Sequence, residues 1–176
     1  VTGGDFEDIG SGTSCGPYPF QDCAHHVPAT AKHPACPSGE YSTPTLNKCS
    51  EDSYGTDYAS DKIKAASSYS LKRDVPTIQR DIMQYGTVTA AFTVYDDFPT
   101  YSSGVYRHVS GKQLGGHAIK ILGWGVEDGQ DYWTVANSWN EEWGDAGTFK
   151  IVRGENHCGI EGQISAGHAV AVEVTV

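Results

Sequence analysis

Two stretches decide how this chain is read: LGGHAIKILGWG at residues 114–125 and WTVANSWNEEWGD at residues 133–145. Between them lies Asp128-Gly129, a hairpin signal because both residues tolerate the positive φ of a tight two-residue turn. HAIKILGWGVE (117–127) and DYWTVAN (131–137) are therefore predicted as adjacent strands, with His117 on one and Asn137 ending the other. An imidazole whose orientation is fixed by a side-chain amide is a suitable general base for a nucleophilic thiol. Gly115-Gly116 lets backbone approach such a site closely, and Trp139 stands where an indole shields a His–Asn hydrogen bond from water. A single strand histidine is more often a core residue, and a single strand-end asparagine a turn former. The combination points to a catalytic pair.

Outward from the hairpin, TVTAAFTVY (87–95) mixes β-branched and small residues without polar alternation, which predicts a buried strand. Pro76 suits the first turn of a helix over 76–85, with Ile78, Ile82 and Met83 on one face and Gly86 ending it. GTFKIVRG (147–154) and the alternating HAVAVEVTV (168–176) complete an antiparallel sheet closing towards a barrel. The expected class is α+β. Residues 1–62 are different: turn-forming stretches such as SGTSCGPYPF and HPACPSGEYSTP predict loops, and residues 63–176 a β-rich lobe. A loop region that long is commonly a lid or wall of a binding site.

Twelve Lys and Arg against 22 Asp and Glu give a net charge of -10, with no basic cluster, which argues against a nucleic-acid partner. The longest apolar runs, such as VTAAFTV, are of strand length and far short of the roughly 20 residues of a membrane span, so no membrane partner is expected. Val1 is not an initiator methionine and VTGGDFEDIG lacks the features of a leader, so the expectation is that an upstream segment has been removed or omitted. Four of the five cysteines, Cys15, Cys23, Cys36 and Cys49, crowd into the loop region, as disulfide staples from an oxidising compartment would. An odd count leaves at least one thiol free or paired outside the chain.

Cys23-Ala24-His25-His26, followed by His33 and Cys36, admits a solvated surface loop or a zinc site. The ligand spacing of structural zinc sites is missing.

GGHAIKILGWG, YWTVANSWNEEWGDAGTFKIVRGENHCGIE and SCGPYPFQDCAHH together resemble the C-terminal part of cathepsin B-like cysteine proteases of the papain family. The resemblance implies a β-rich C-terminal lobe of a two-lobed fold, with His117 as catalytic base, Asn137 as its orienter and Trp139 as the shield. It implies an occluding loop over about 15–36, whose His25 and His26 bind a substrate's C-terminal carboxylate so that dipeptides are released. The expected disulfides are Cys23 with Cys36 and Cys15 with Cys49, leaving Cys158 free and buried. Ala91, Ala118 and Gln163 are placed around the pocket for the second residue before the cut, with Gln163 where a glutamate is usual. Val94, Leu114 and Trp139 would form an apolar shelf on the primed side. Lys32 and His33 stand where an arginine often supports the loop.

No stretch matches the family's CGSCW-type nucleophile; Cys15 in TSCGPYPF shares only a fragment. In papain-type enzymes the cysteine precedes the histidine by roughly 130 to 150 residues. The nucleophile and its oxyanion donors are thus expected on an N-terminal lobe outside this chain. That lobe, peptide and protein substrates, and a propeptide or cystatin-type inhibitors are the implied partners, with no metal or cofactor. A lysosomal or secreted setting is implied. A competing reading is an inactive homologue kept as a peptide-binding module; another is a zinc-stapled interaction domain.

Overall fold

The computed structural model describes residues 2–39 and 45–169. Among these, residues 2–24 and 28–65 cluster as one unit, and residues 25–27 with 66–169 as another.

The first unit is built from turns, as its composition predicts. Its only strands among the described residues are β1 (Gly3–Gly4) and β2 (Gly16–Pro17), paired in parallel. Disulfides join Cys15 to Cys49 and Cys23 to Cys36, the pairs implied by the resemblance. They close segments of 34 and 13 residues. On a chain-entropy estimate each removes about 3–4 kcal/mol of unfolded-state freedom, offsetting the lack of a large apolar core.

The second unit contains β3 (Ala65–Leu71) from its second residue on, α1 (Val75–Tyr85), β4 (Val88–Tyr95), β5 (Val105–Tyr106), β6 (Gln113–Glu127), β7 (Gln130–Ala136), β8 (Thr148–Val152) and β9 (Ile164–Ala169). The strand order is β3-β9-β4-β6-β7-β8-β5. The described pairings are antiparallel except for β5, which runs parallel to β8. The hairpin forms where expected, with Asp128 at φ 50° and Gly129 at φ 79°. HAVAVEVTV is strand as far as Ala169, and the rest of that stretch lies outside the described residues.

Two sequence expectations are corrected here, and one strand was not expected. The β4 strand is not buried throughout: Val88, Ala90, Phe92 and Val94 are buried, while Thr89, Ala91, Thr93 and Tyr95 are not. Small residues hid this two-residue period, because Ala91 can line an open face as readily as a core. Met83 leaves the helix face it was expected to share, being 78% exposed while Ile78 and Ile82 are buried. At about 100° per residue, position 83 is turned well away from 78 and 82. The third element, β3, was not predicted, since AASSYSL is a mainly exposed edge strand with little apolar signal.

Asp74 caps α1 through its carboxylate, which accepts the Thr77 N–H at 3.0 Å. The core collects Ile78 and Ile82 from α1, Phe92 from β4, Ile119 and Ile121 from β6, Trp133 and Val135 from β7, and Phe149 and Ile151 from β8. Burying each such side chain stabilises the unit by about 1.5–3 kcal/mol. The register then places the site. His117 is opposite Phe92, and directly opposed residues share a sheet face, so His117 continues the inward row of Ile119 and Ile121 to the end of the core. Ala118, opposite Ala91, faces the other way.

Candidate active site

Asn137 follows directly after β7, and its backbone N–H donates to the Gly147 carbonyl at 2.9 Å. Gly147 has φ 78°, and a Cβ there would come within 3.2 Å of the Asn140 carbonyl oxygen, so glycine suits both the conformation and the space. The Asn137 side chain reaches His117, with Oδ1 and Nε2 2.8 Å apart. Asn137 Oδ1 also accepts the Ser138 N–H at 2.8 Å, which identifies that atom as the acceptor. The His117 Nε2 must therefore carry the hydrogen and donate, leaving Nδ1 as the basic nitrogen. The pair thus specifies a tautomer as well as an orientation.

Trp139 stacks on His117 with ring centroids 5.5 Å apart and planes 25° apart. Its own position is fixed by edge contacts with Phe98 at 5.4 Å and Trp143 at 4.8 Å. Those two supports were not found from the sequence; the tryptophan spacing in WNEEW was their only signal. Gly115 and Gly116 have open space where a Cβ would stand, so no described neighbour crowds them.

The tip of the histidine loop lies on the same indole. His25 stacks on Trp139 at 5.3 Å with planes 23° apart, and His26 tilts over it at 4.2 Å. The two imidazoles are 4.4 Å from each other. Partial burial, with His117 nearby, holds His25 below its ordinary pKa. Burial, then His25 and His117, does the same for His26. Val27, next in sequence, packs against the core. The loop's two arms are joined by Cys23–Cys36 and by the Ala24 N–H donating to the Pro34 carbonyl at 2.8 Å.

None of the five cysteines is suited to be a nucleophile. Cys15, Cys23, Cys36 and Cys49 are disulfide-bonded, and burial pushes the Cys158 thiol up to about 11. The zinc reading of the loop also fails, because Cys23 and Cys36 are bonded to each other and offer no thiolates. Cys158 is free as expected, though half-buried rather than fully buried.

On the opposite sheet face, Ala91, Ala118 and Gln163 line one cavity of about 320 Å³. The Ala91 N–H donates to the Gln163 carbonyl at 3.1 Å, tying the segment before β9 to β4. Ser70 and Leu71 complete a wall, which the sequence reading missed along with their strand. On the expected primed-side shelf, Leu114 is 50% exposed and Trp139 half-buried. Val94 does not join them: at 7% exposure it belongs to the core, because it shares the inward face of β4 with Phe92.

Comparisons with known proteins place the chain in a family. The family model described as Papain family cysteine protease matches residues 11–168. A cathepsin B-like cysteine proteinase of Schistosoma japonicum is 50% identical over 95% of this chain and 47% of its own length. Cathepsin B-like cysteine proteinase 6 of Caenorhabditis elegans is 46% identical over 95% of this chain and 43% of its own. The solved structure of procathepsin B S9 from Trypanosoma congolense superposes with a TM-score of 0.68 at 35% identity, covering 88% of this chain and 47% of that one. The chain spans about half the length of the curated relatives it matches.

Proposed function

Because the chain belongs to the papain family of cysteine proteases, we propose that it supplies the base-carrying lobe of a cathepsin B-like cysteine peptidase. The 2.8 Å contact between His117 and Asn137, with its acceptor fixed by Ser138, is the observation that carries this reading. Nδ1 of His117 takes the proton of a thiol on the N-terminal lobe, giving a thiolate–imidazolium pair. The thiolate attacks the peptide carbonyl carbon, and the imidazolium gives its proton to the departing amine. Water, deprotonated by the same nitrogen, then releases the acyl group and restores the thiol. Asn137 holds the ring in the tautomer that leaves Nδ1 free, and Trp139 keeps water from the Nε2–H bond. The oxyanion donors belong to the other lobe, as does the cysteine.

His25 and His26 act as the receptor for a substrate's C-terminal carboxylate, which makes the enzyme a dipeptidase as well as an endopeptidase. Two adjacent imidazoles beside the His117 ring, both able to gain a proton, support this. The cavity at Ala91, Ala118 and Gln163 takes the second residue before the cut. Two disulfides support a lysosomal or secreted setting. The partners are the N-terminal lobe, peptide and protein substrates, and propeptide or cystatin-type inhibitors.

The test is mass spectrometry of the complete enzyme after treatment with an irreversible epoxide probe for cysteine peptidases. An adduct on a cysteine outside this chain, dependent on His117, is the expected result. An unlabelled enzyme, or a single unlabelled species near 18.9 kDa, would overturn the reading.

A further inference from the structure

The residue after Trp139 has a side chain whose two polar atoms serve different segments. Asn140 Oδ1 accepts the backbone N–H groups of Glu142 at 3.0 Å and Trp143 at 2.9 Å, closing the turn that follows the candidate catalytic asparagine. Those two donors fix which end of the amide is oxygen. The Nδ2 end therefore faces the loop tip, where it donates to the His25 carbonyl at 3.0 Å. The turn makes a firm base: Trp143 is 2% exposed, and its Nε1–H donates to the Pro99 carbonyl at 2.8 Å.

The tip needs such a hold. His26 sits at φ 60°, a left-handed conformation that a non-glycine residue adopts at some cost in free energy and that contacts from outside help to hold. The contacts of His25 and His26 with Trp139 are ring contacts, which set distance better than position along the ring face. A directional hydrogen bond to the backbone between the two imidazoles supplies what stacking does not.

We propose that Asn140 is a specificity-determining latch that holds the His25–His26 tip over Trp139 and so sets the ratio of dipeptidase to endopeptidase activity. This rests on the reading of those histidines as the carboxylate receptor. Asn140 is a positioning residue: it acts through the loop and touches neither the scissile bond nor the attacking thiol.

Two variants of the complete enzyme separate the latch from the turn. Asn140→Asp keeps an oxygen for the Glu142 and Trp143 N–H groups but replaces the donor with an acceptor. Asn140→Ser keeps a short hydroxyl acceptor without reach to His25 and without charge. Active molecules are counted by the epoxide probe. Then kcat/KM is measured for a peptide with a free C-terminal carboxylate and for an internally cleaved, C-terminally amidated one. In both variants the ratio should fall about three- to ten-fold, the value of one net hydrogen bond, mainly through KM. Amide hydrogen exchange in a peptide covering residues 24–30 should accelerate, while the turn at 142–143 keeps its protection.

Unchanged exchange at 24–30 in both variants overturns the latch. An unchanged ratio in both variants, where His25→Ala/His26→Ala does lower it, also overturns the latch but leaves the receptor reading intact. Faster exchange together with a ratio insensitive to His25→Ala/His26→Ala overturns the receptor reading, and with it the latch's role in specificity. On the His25→Ala/His26→Ala background, substituting Asn140 should change the ratio no further.

Discussion

Trp139 carries histidines of two kinds, and they are held in contrasting ways. His117 stands on β6 within a ladder of backbone hydrogen bonds, and its free choice of tautomer is removed by Asn137, which is itself fixed by Gly147 and Ser138. His25 and His26 stand on a turn, and among the described residues they are held by ring contacts, a side-chain hydrogen bond to the His25 carbonyl and a disulfide further back. On the proposed reading, the group that transfers a proton in every cycle is set by regular structure, and the group that selects among substrates is set by a few separable contacts, each costing little to break. The same indole touches both, so the state of the loop and the environment of the base are physically adjacent.

The contrast is broken most severely by comparing His117→Ala with His25→Ala/His26→Ala. Loss of the base should lower kcat/KM for every substrate by about 10²–10⁴-fold. Loss of the loop pair should lower it about ten- to a hundred-fold for free-carboxylate peptides, the value of charge-assisted hydrogen bonds, and leave amidated peptides near wild type. Parallel losses for both substrate types in the double variant would show that the loop is part of the catalytic machinery rather than a selector.

A smaller effect is expected at the cavity on the other sheet face. Gln163 is exposed and neutral, and an amide cannot form the charge-assisted bond a carboxylate makes with arginine. Gln163→Glu should raise kcat/KM for substrates with arginine two residues before the cut by about three- to thirty-fold relative to phenylalanine. An unchanged preference would remove Gln163 from the pocket.

The subtlest effect is in pH. His25 and His26 are held below the ordinary histidine value by burial and by neighbouring imidazoles, so the docked tip favours their neutral forms. The stability this lends to docking is present above about pH 6.5 and is lost as pH falls through the lowered folded values. The carboxylate receptor, which needs the protonated forms, charges over that same acidic window. Because the Asn140 hydrogen bond that holds the tip does not titrate, charging of the receptor outweighs this weaker docking, and the ratio of dipeptidase to endopeptidase kcat/KM, which reports the free enzyme, should rise on acidification with a midpoint below 6.5. A midpoint above 6.5 would mean that carboxylate binding is governed by another group.

The hairpin and the candidate catalytic pair were legible because each is local and periodic. Asp128-Gly129 fixes the turn, and the register that follows pairs Lys120 with Ala136, so His117 and Asn137 lie at the same end of the hairpin, within reach of a side-chain hydrogen bond. The helix was legible through Pro76 and Gly86 for the same reason. Met83 was misplaced because one step around a helix turns a side chain by about 100°, and Val94, reached through family resemblance, because alternation along β4 puts it on the inward face with Phe92. Of the pocket, Ala91, Ala118 and Gln163 were reached through family resemblance, while Ser70 and Leu71 were missed because an exposed edge strand carries almost no apolar pattern.

By itself, then, the sequence determined the chemistry available: an imidazole, an amide and an indole at fixed spacing on paired strands, and a cysteine-stapled loop with two adjacent histidines. Only the tertiary structure decided which nitrogen of His117 is free, because that follows from Ser138 donating to the same oxygen. It also decided that the loop tip rests on Trp139 under the hold of Asn140, a contact spanning 115 positions of sequence. Local pattern reports what a segment prefers, whereas hydrogen-bond direction between distant segments exists only once the core has brought them together.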